Sequence, residues 1–342
     1  MSRMDSTTHE LAFPGFVDLQ VNGYLGVDFT DPALTPERCA HACRELLRQG
    51  TAAFLPTVIT APNAVYRPNL ALLADCIEAD EFAGRLLGIH VEGPFLSDQP
   101  GAVGAHDPAH VRPASPEAFE RMQAWARGHI RMVTLAAEAD GAAELCRALV
   151  EQGIVVSLGH QLATPDDLAR LADAGARALT HLGNGMPNTV PRHDNPLLAG
   201  LAEDRLLALI IADGHHLPAH VVRVILRCKG VEGVILTSDA APIAGCPPGT
   251  YDALGNRAIL TPEGRFYNLD QGHLVGSSFT LLRCANWLLE RGLMGAEDIV
   301  RAAYRNPLAL LGRPWRGHQT PARVAHDRET NRFIVMDERG EA

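Results

Sequence analysis

Short apolar runs alternate along the chain with longer stretches in which apolar positions recur every three or four residues. Pro14-Gly15 opens the first run, Phe16 to Asn22, and Gly23 stops it. Apolar residues at 17, 19 and 21 alternate there with polar ones at 18, 20 and 22, as in a barrel strand whose last inward positions line a pocket. The pattern predicts further strands at 51–60, 86–91, 130–136, 154–159, 177–181, 206–212 and 233–238. Helices are predicted between them at 35–48, 63–79, near 116–127, and at 139–152, 164–174 and 218–228, with a short one after a Pro/Asn-rich loop, 186–196. Strand-then-helix units at this spacing imply parallel pairing through crossover helices. Eight of them fit a closed barrel better than an open sheet. The expected class is α/β, a TIM-like (β/α)8 barrel over residues 14–312. Residues 1–13 read as a loose leader, 245–273 as a β-hairpin insertion over the barrel mouth, and 313–342 as a tail with one strand near 332–336.

Four of the strands end in a side chain that handles metal or protons. They are Glu92 after Ile89-His90-Val91, His160 after Leu158-Gly159, His181 after Leu179-Thr180, and Asp239 after Thr237-Ser238. Any one of these alone reads as a salt-bridged carboxylate or a satisfied core histidine. Together, at the C-terminal rim where such barrels place their active sites, they read as one constellation. One carboxylate and two imidazoles form a catalytic zinc set that leaves a position open, and zinc lowers the pKa of a bound water to about 7. Asp239 can then accept a proton and pass it to a leaving nitrogen. The ligand set also accepts Fe²⁺ or Co²⁺.

Composition narrows the class without changing this picture. A hydrophobic content of 46% and a charged content of 20% are those of a globular protein. The net charge of −10 argues against nucleic acid as a partner, because no broad basic stripe is available for phosphates. No apolar run is long enough to cross a membrane. Seven cysteines without a Cys-x-x-Cys spacing read as reduced thiols of a cytoplasmic protein.

Several motifs occur in order along most of the chain: Pro14-Gly15-Phe16-Val17-Asp18-Leu19-Gln20-Val21-Asn22-Gly23, His90-Val91-Glu92-Gly93-Pro94-Phe95, Gly159-His160, Thr180-His181-Leu182-x-Asn184, Ala212-Asp213-Gly214-x-His216 and Ser238-Asp239-Ala240. With them the sequence resembles the N-acetylglucosamine-6-phosphate deacetylases of the amidohydrolase superfamily. Many amidohydrolases carry His-x-His at the end of the first strand; Gln20-x-Asn22 stands there instead, the substitution this family shows, which favours a single metal.

The resemblance implies Glu92, His160 and His181 as ligands of one divalent ion, zinc first, and Asp239 as general base and acid. It implies a carbonyl or sugar contact for His106, and places Gln20 and Asn22 beside the substrate. It implies phosphate contacts for Asn184, Gly185, Arg192 and His216, with Arg192 or His216 reaching across a homodimer. Relatives carry a small β-sandwich that both termini build, and this sequence is expected to lack most of it.

The implied reaction removes acetate from an N-acetyl amino sugar, foremost N-acetylglucosamine 6-phosphate. Alternatives left open are another N-acyl sugar, an unphosphorylated or cyclic amide, and a barrel that only binds. Arg192 could instead pair with Asp194, Ser277 and Ser278 read as helix-capping residues, and His193 and His215 have no assigned role.

Overall fold

The computed structural model describes residues 9–270, 272–313 and 323–336. Eight parallel strands, Phe16–Val21, Thr51–Val58, Ile89–Glu92, Ile130–Leu135, Val155–Leu158, Ala178–Leu179, Leu207–Ile211 and Val234–Thr237, each bond to the next. The open edge closes through the Asn22 N–H, which donates to the Ala240 carbonyl at 2.9 Å beside a parallel bridge from Val21 to Ala240. The (β/α)8 barrel is therefore as the periodicity predicted. Four helices on its outside start alike. Thr35, Ser115, Thr164 and Asn195 each accept a backbone N–H of the first turn, and a proline opens the helix behind each cap.

The interior holds a polar layer beneath the rim. His90 Nδ1 donates to the Leu19 carbonyl at 3.0 Å, and its Nε2 lies 2.8 Å from Thr134 Oγ1. Thr180 Oγ1 continues the chain, 2.7 Å from Thr134 Oγ1 and 2.6 Å from Ser157 Oγ. Burial pushes His90 down to a pKa of about 4, so it stays neutral and serves as a hydrogen-bonded core residue. Asp18 is buried beside this layer and accepts from Thr237 Oγ1 at 2.8 Å and from the Ser238 N–H at 3.1 Å. It ties the end of the eighth strand to the first.

Three expectations need correction. Of the expected leader, 1–13, residues 1–8 lie outside the described residues, but His9–Phe13 is a strand, antiparallel to Val324–Asp327. The tail carries that strand and Arg332–Val335, two rather than one, and the three strands form one small sheet. This sheet packs on the barrel through Phe13, Phe16, Tyr304 and Phe333, whose rings meet edge-on at 5.2 to 6.0 Å. The insertion is a three-stranded meander, Gly249–Ala253, Asn256–Leu260 and Phe266–Asn268, rather than a hairpin. Pairings between sequence ends hundreds of residues apart leave no local signal.

Candidate active site

His160, His181 and Asp239 share an unusual backbone. Their φ angles are +51°, +30° and +49°, and each lies two residues beyond the last strand residue. A left-handed φ on a non-glycine residue costs on the order of 1–3 kcal/mol. Here it ends each strand early and turns the side chain over the barrel axis. Glu92 needs no such turn, because it is the final inward residue of its own strand.

The three ligand candidates converge. Glu92 Oε1 lies 3.0 Å from His181 Nε2 and 3.3 Å from His160 Nε2, and the two Nε2 atoms are 3.1 Å apart. Ligand atoms about 2.0–2.1 Å from a tetrahedral zinc stand about 3.3 Å from one another, so this triangle is the size of one face of such a site. His160 Nδ1 donates to the Ala102 carbonyl at 2.8 Å, which leaves its Nε2 lone pair for an ion. His181 Nδ1 and the oxygens Gln20 Oε1 and Asn22 Oδ1 are buried without a hydrogen-bond partner, all at this spot. Burial raises the Glu92 pKa, but hydrogen bonds from His160 and His181 outweigh it and hold the carboxyl well below its ordinary value. Gln20 Nε2 donates to the same Oε1 at 2.9 Å.

His106 belongs to the cluster in another way. Its Nε2 is 3.3 Å from His160 Nε2 and 3.8 Å from Glu92 Oε2, and Glu92, His106 and His160 could also hold an ion. The tautomer argues otherwise. The Thr60 backbone N–H points at His106 Nδ1 at 3.3 Å and Thr60 Oγ1 lies 2.9 Å from the same nitrogen; with Nδ1 accepting from the backbone, the proton sits on Nε2. Burial, with His160 beside it, pushes the His106 pKa down to about 3, so the ring is neutral. His106 thus presents an N–H donor to the site, whereas a ligand needs a lone pair. The tighter Glu92–His160–His181 triangle suits an ion better.

Asp239 stands opposite. Asn22 Nδ2 donates to its Oδ1 at 2.8 Å. Burial first, then the Glu92 charge, push its pKa up to about 7, against the opposing pull of His216 and Asn22. A carboxyl poised near neutrality suits a group that takes and returns a proton. His216 has a buried carboxylate partner, Asp213, that favours its charged form. Its Nδ1 lies 2.7 Å from Asp213 Oδ2, and although burial lowers its pKa, Asp213 raises it above the ordinary value.

Asn22, Glu92, His106, His160, His181 and Asp239 all line one cavity of about 420 Å³, within the range of small-molecule sites. Asn184, Gly185 and His216 line it too. At Gly185, where φ is +60°, a Cβ would come 3.0 Å from His160 Nδ1, so any larger residue would crowd the His160 ring and strain the backbone. Gln20 lies beneath, reaching the site through Glu92. Arg192 is exposed on its loop and does not line this chain's cavity. Sequence reasoning missed Thr60, Asp18 and Asp213. Of these, Asp18 and Asp213 lay in quoted motifs, and Thr60 did not.

The model of the amidohydrolase family matches residues 11–316. The N-acetylglucosamine-6-phosphate deacetylase of Bos taurus is 34% identical over 310 residues, 87% of this chain and 74% of the relative. An N-acetylgalactosamine-6-phosphate deacetylase of Escherichia coli O157:H7 is 30% identical over 303 residues, 89% and 78% of the two chains. The crystal structure of N-acetyl-D-glucosamine-6-phosphate deacetylase from Mycobacterium smegmatis matches with a TM-score of 0.84 at 31% identity, covering 96% of this chain and 86% of that one. The chain therefore belongs to the amidohydrolase family of metal-dependent hydrolases, among its deacetylases.

Proposed function

We propose that the barrel of residues 14–312 hydrolyses the acetamide of an N-acetyl amino sugar 6-phosphate, foremost N-acetylglucosamine 6-phosphate, to the free amine and acetate. The observation that carries this reading is the triangle of Glu92, His160 and His181 atoms in one cavity with Asp239 and the His106 N–H. Glu92, His160 and His181 would hold one divalent ion, zinc by its donor set, with Fe²⁺ or Co²⁺ as substitutes. Bound there, the ion supplies Lewis-acid polarisation of the amide carbonyl and a water of lowered pKa.

The protein's own groups do the rest. Asp239 takes the proton of the attacking water, aimed by the Asn22 amide. The carbonyl oxygen gains negative charge as the water adds, and the His106 Nε2–H donates to it. Asp239 then hands its proton to the nitrogen as the C–N bond breaks. Asn184, Gly185 and His216, whose charged form Asp213 favours, line the same cavity, and a phosphate would sit against them. Arg192 would serve that phosphate only in the site of a second subunit, which supports a homodimer. The seven cysteines, none in a disulfide, suit a reducing cytoplasm, and no helix among the described residues is long and apolar enough to cross a membrane.

The test is turnover on N-acetylglucosamine 6-phosphate, its galactosamine epimer and plain N-acetylglucosamine. Higher kcat/KM on a phosphorylated sugar is expected; equal rates with and without the phosphate would contradict the reading.

A further inference from the structure

The far end of the substrate needs fixed positive charge, and the two basic residues the motifs offer for it are unequally placed. His216 lines the cavity, whereas Arg192 does not line the cavity of its own chain. The insertion also contributes to the cavity wall, and it carries an arginine there, Arg265.

Arg265 ends a turn that is closed on itself and fastened to the barrel. The Thr261 N–H donates to the Arg265 carbonyl at 2.9 Å, and the Gly264 N–H to the Thr261 carbonyl at 3.0 Å. Ser278 Oγ, on the barrel side, donates to the Gly264 carbonyl at 2.7 Å. His215 Nε2, next to His216 in sequence, donates to the Glu263 carbonyl at 3.1 Å. Gly264, with φ at +96°, sits so close that a Cβ would meet the Phe279 ring at 2.6 Å. The Arg265 guanidinium lies 4.9 Å from the Tyr267 ring centroid and pairs with no carboxylate among the described residues. Arg265 is the one arginine or lysine among the described residues that line this cavity. A planar donor fork on a fixed turn is what recognition of a phosphate oxygen pair asks for.

We propose that Arg265 is a specificity residue that, from the same chain, binds the phosphate of the substrate and so selects the phosphorylated sugar. This rests on the phosphate reading above. The experiment measures kcat/KM for N-acetylglucosamine 6-phosphate and for plain N-acetylglucosamine in the wild type, Arg265→Ala and Arg265→Lys. The expected result is a preference for the phosphorylated sugar that falls about tenfold or more in Arg265→Ala, as loss of a charge-assisted bond predicts. Arg265→Lys, a point charge without the fork, should recover part of it, while metal content stays at the wild-type value in both. A wild type that prefers the phosphorylated sugar, with a preference unchanged within about twofold in Arg265→Ala, overturns this inference alone. A wild type without any preference overturns the phosphate reading and this inference with it.

Discussion

Asn22 and Asp239, 217 residues apart, are joined by a 2.8 Å bond from Nδ2 to Oδ1. The bond points one oxygen of Asp239 at Asn22 and leaves the other for water. If Asp239 is the proton carrier, Asp239→Asn removes the carrier and keeps the shape. Turnover should fall by roughly two to four orders of magnitude, the usual worth of general acid–base catalysis. Thermal stability should hold, because asparagine tolerates the left-handed φ of this position. Steady-state kinetics with a melting curve check both, and near-normal turnover would contradict the assignment.

His106 is assigned as a donor by the Thr60 N–H on its Nδ1. His106→Ala should therefore lower kcat by about 10²–10³, as removal of an oxyanion donor does, with metal content unchanged. Metal lost on purification of that variant would make His106 a ligand instead.

Burial raises the pKa of Asp18 from 3.8 to about 6 despite the bonds from Ser238 and Thr237. Below about pH 4 folded and unfolded chains both keep the proton. As pH rises from 4 to 6 the unfolded chain loses it first, so the folded chain holds more protons and stability falls, by about 3 kcal/mol in all. Asp18→Asn has no proton to lose. Urea midpoints should therefore shift in favour of the variant between pH 4 and pH 7; a difference independent of pH would contradict the assignment.

Phe333 is buried between Phe13 and Phe16, at ring distances of 6.0 and 5.5 Å. Phe333→Ala should cost about 3–5 kcal/mol of stability, measured by denaturant unfolding, while the KM of the distant rim site stays near the wild-type value. A loss under about 1 kcal/mol would mean that the terminal sheet is not fastened to the barrel.

Much of this was legible in the sequence because barrel strands are local apolar runs. The runs ending at Glu92, His160, His181 and Asp239 put the site on one rim before any pairing was known. The tautomer of His106 was not legible, since it depends on the backbone of Thr60, 46 residues away. Nor was the terminal sheet, whose short strand His9–Phe13 pairs with Val324–Asp327 at the other end of the chain. Arg265 drew no notice because its significance is spatial: a turn fastened by His215 and Ser278 sets it at the cavity wall.

The central claim is that one divalent ion, held by Glu92, His160 and His181, is required to release acetate. It is tested most directly by metal content and acetate release from N-acetylglucosamine 6-phosphate, measured together on the wild type, His181→Ala and chelator-treated wild type. The account predicts about one equivalent per chain in the wild type, little in the other two, and acetate release that follows the metal and returns when zinc is restored to the treated wild type. Two equivalents per chain, or full acetate release from the metal-depleted protein, would contradict it.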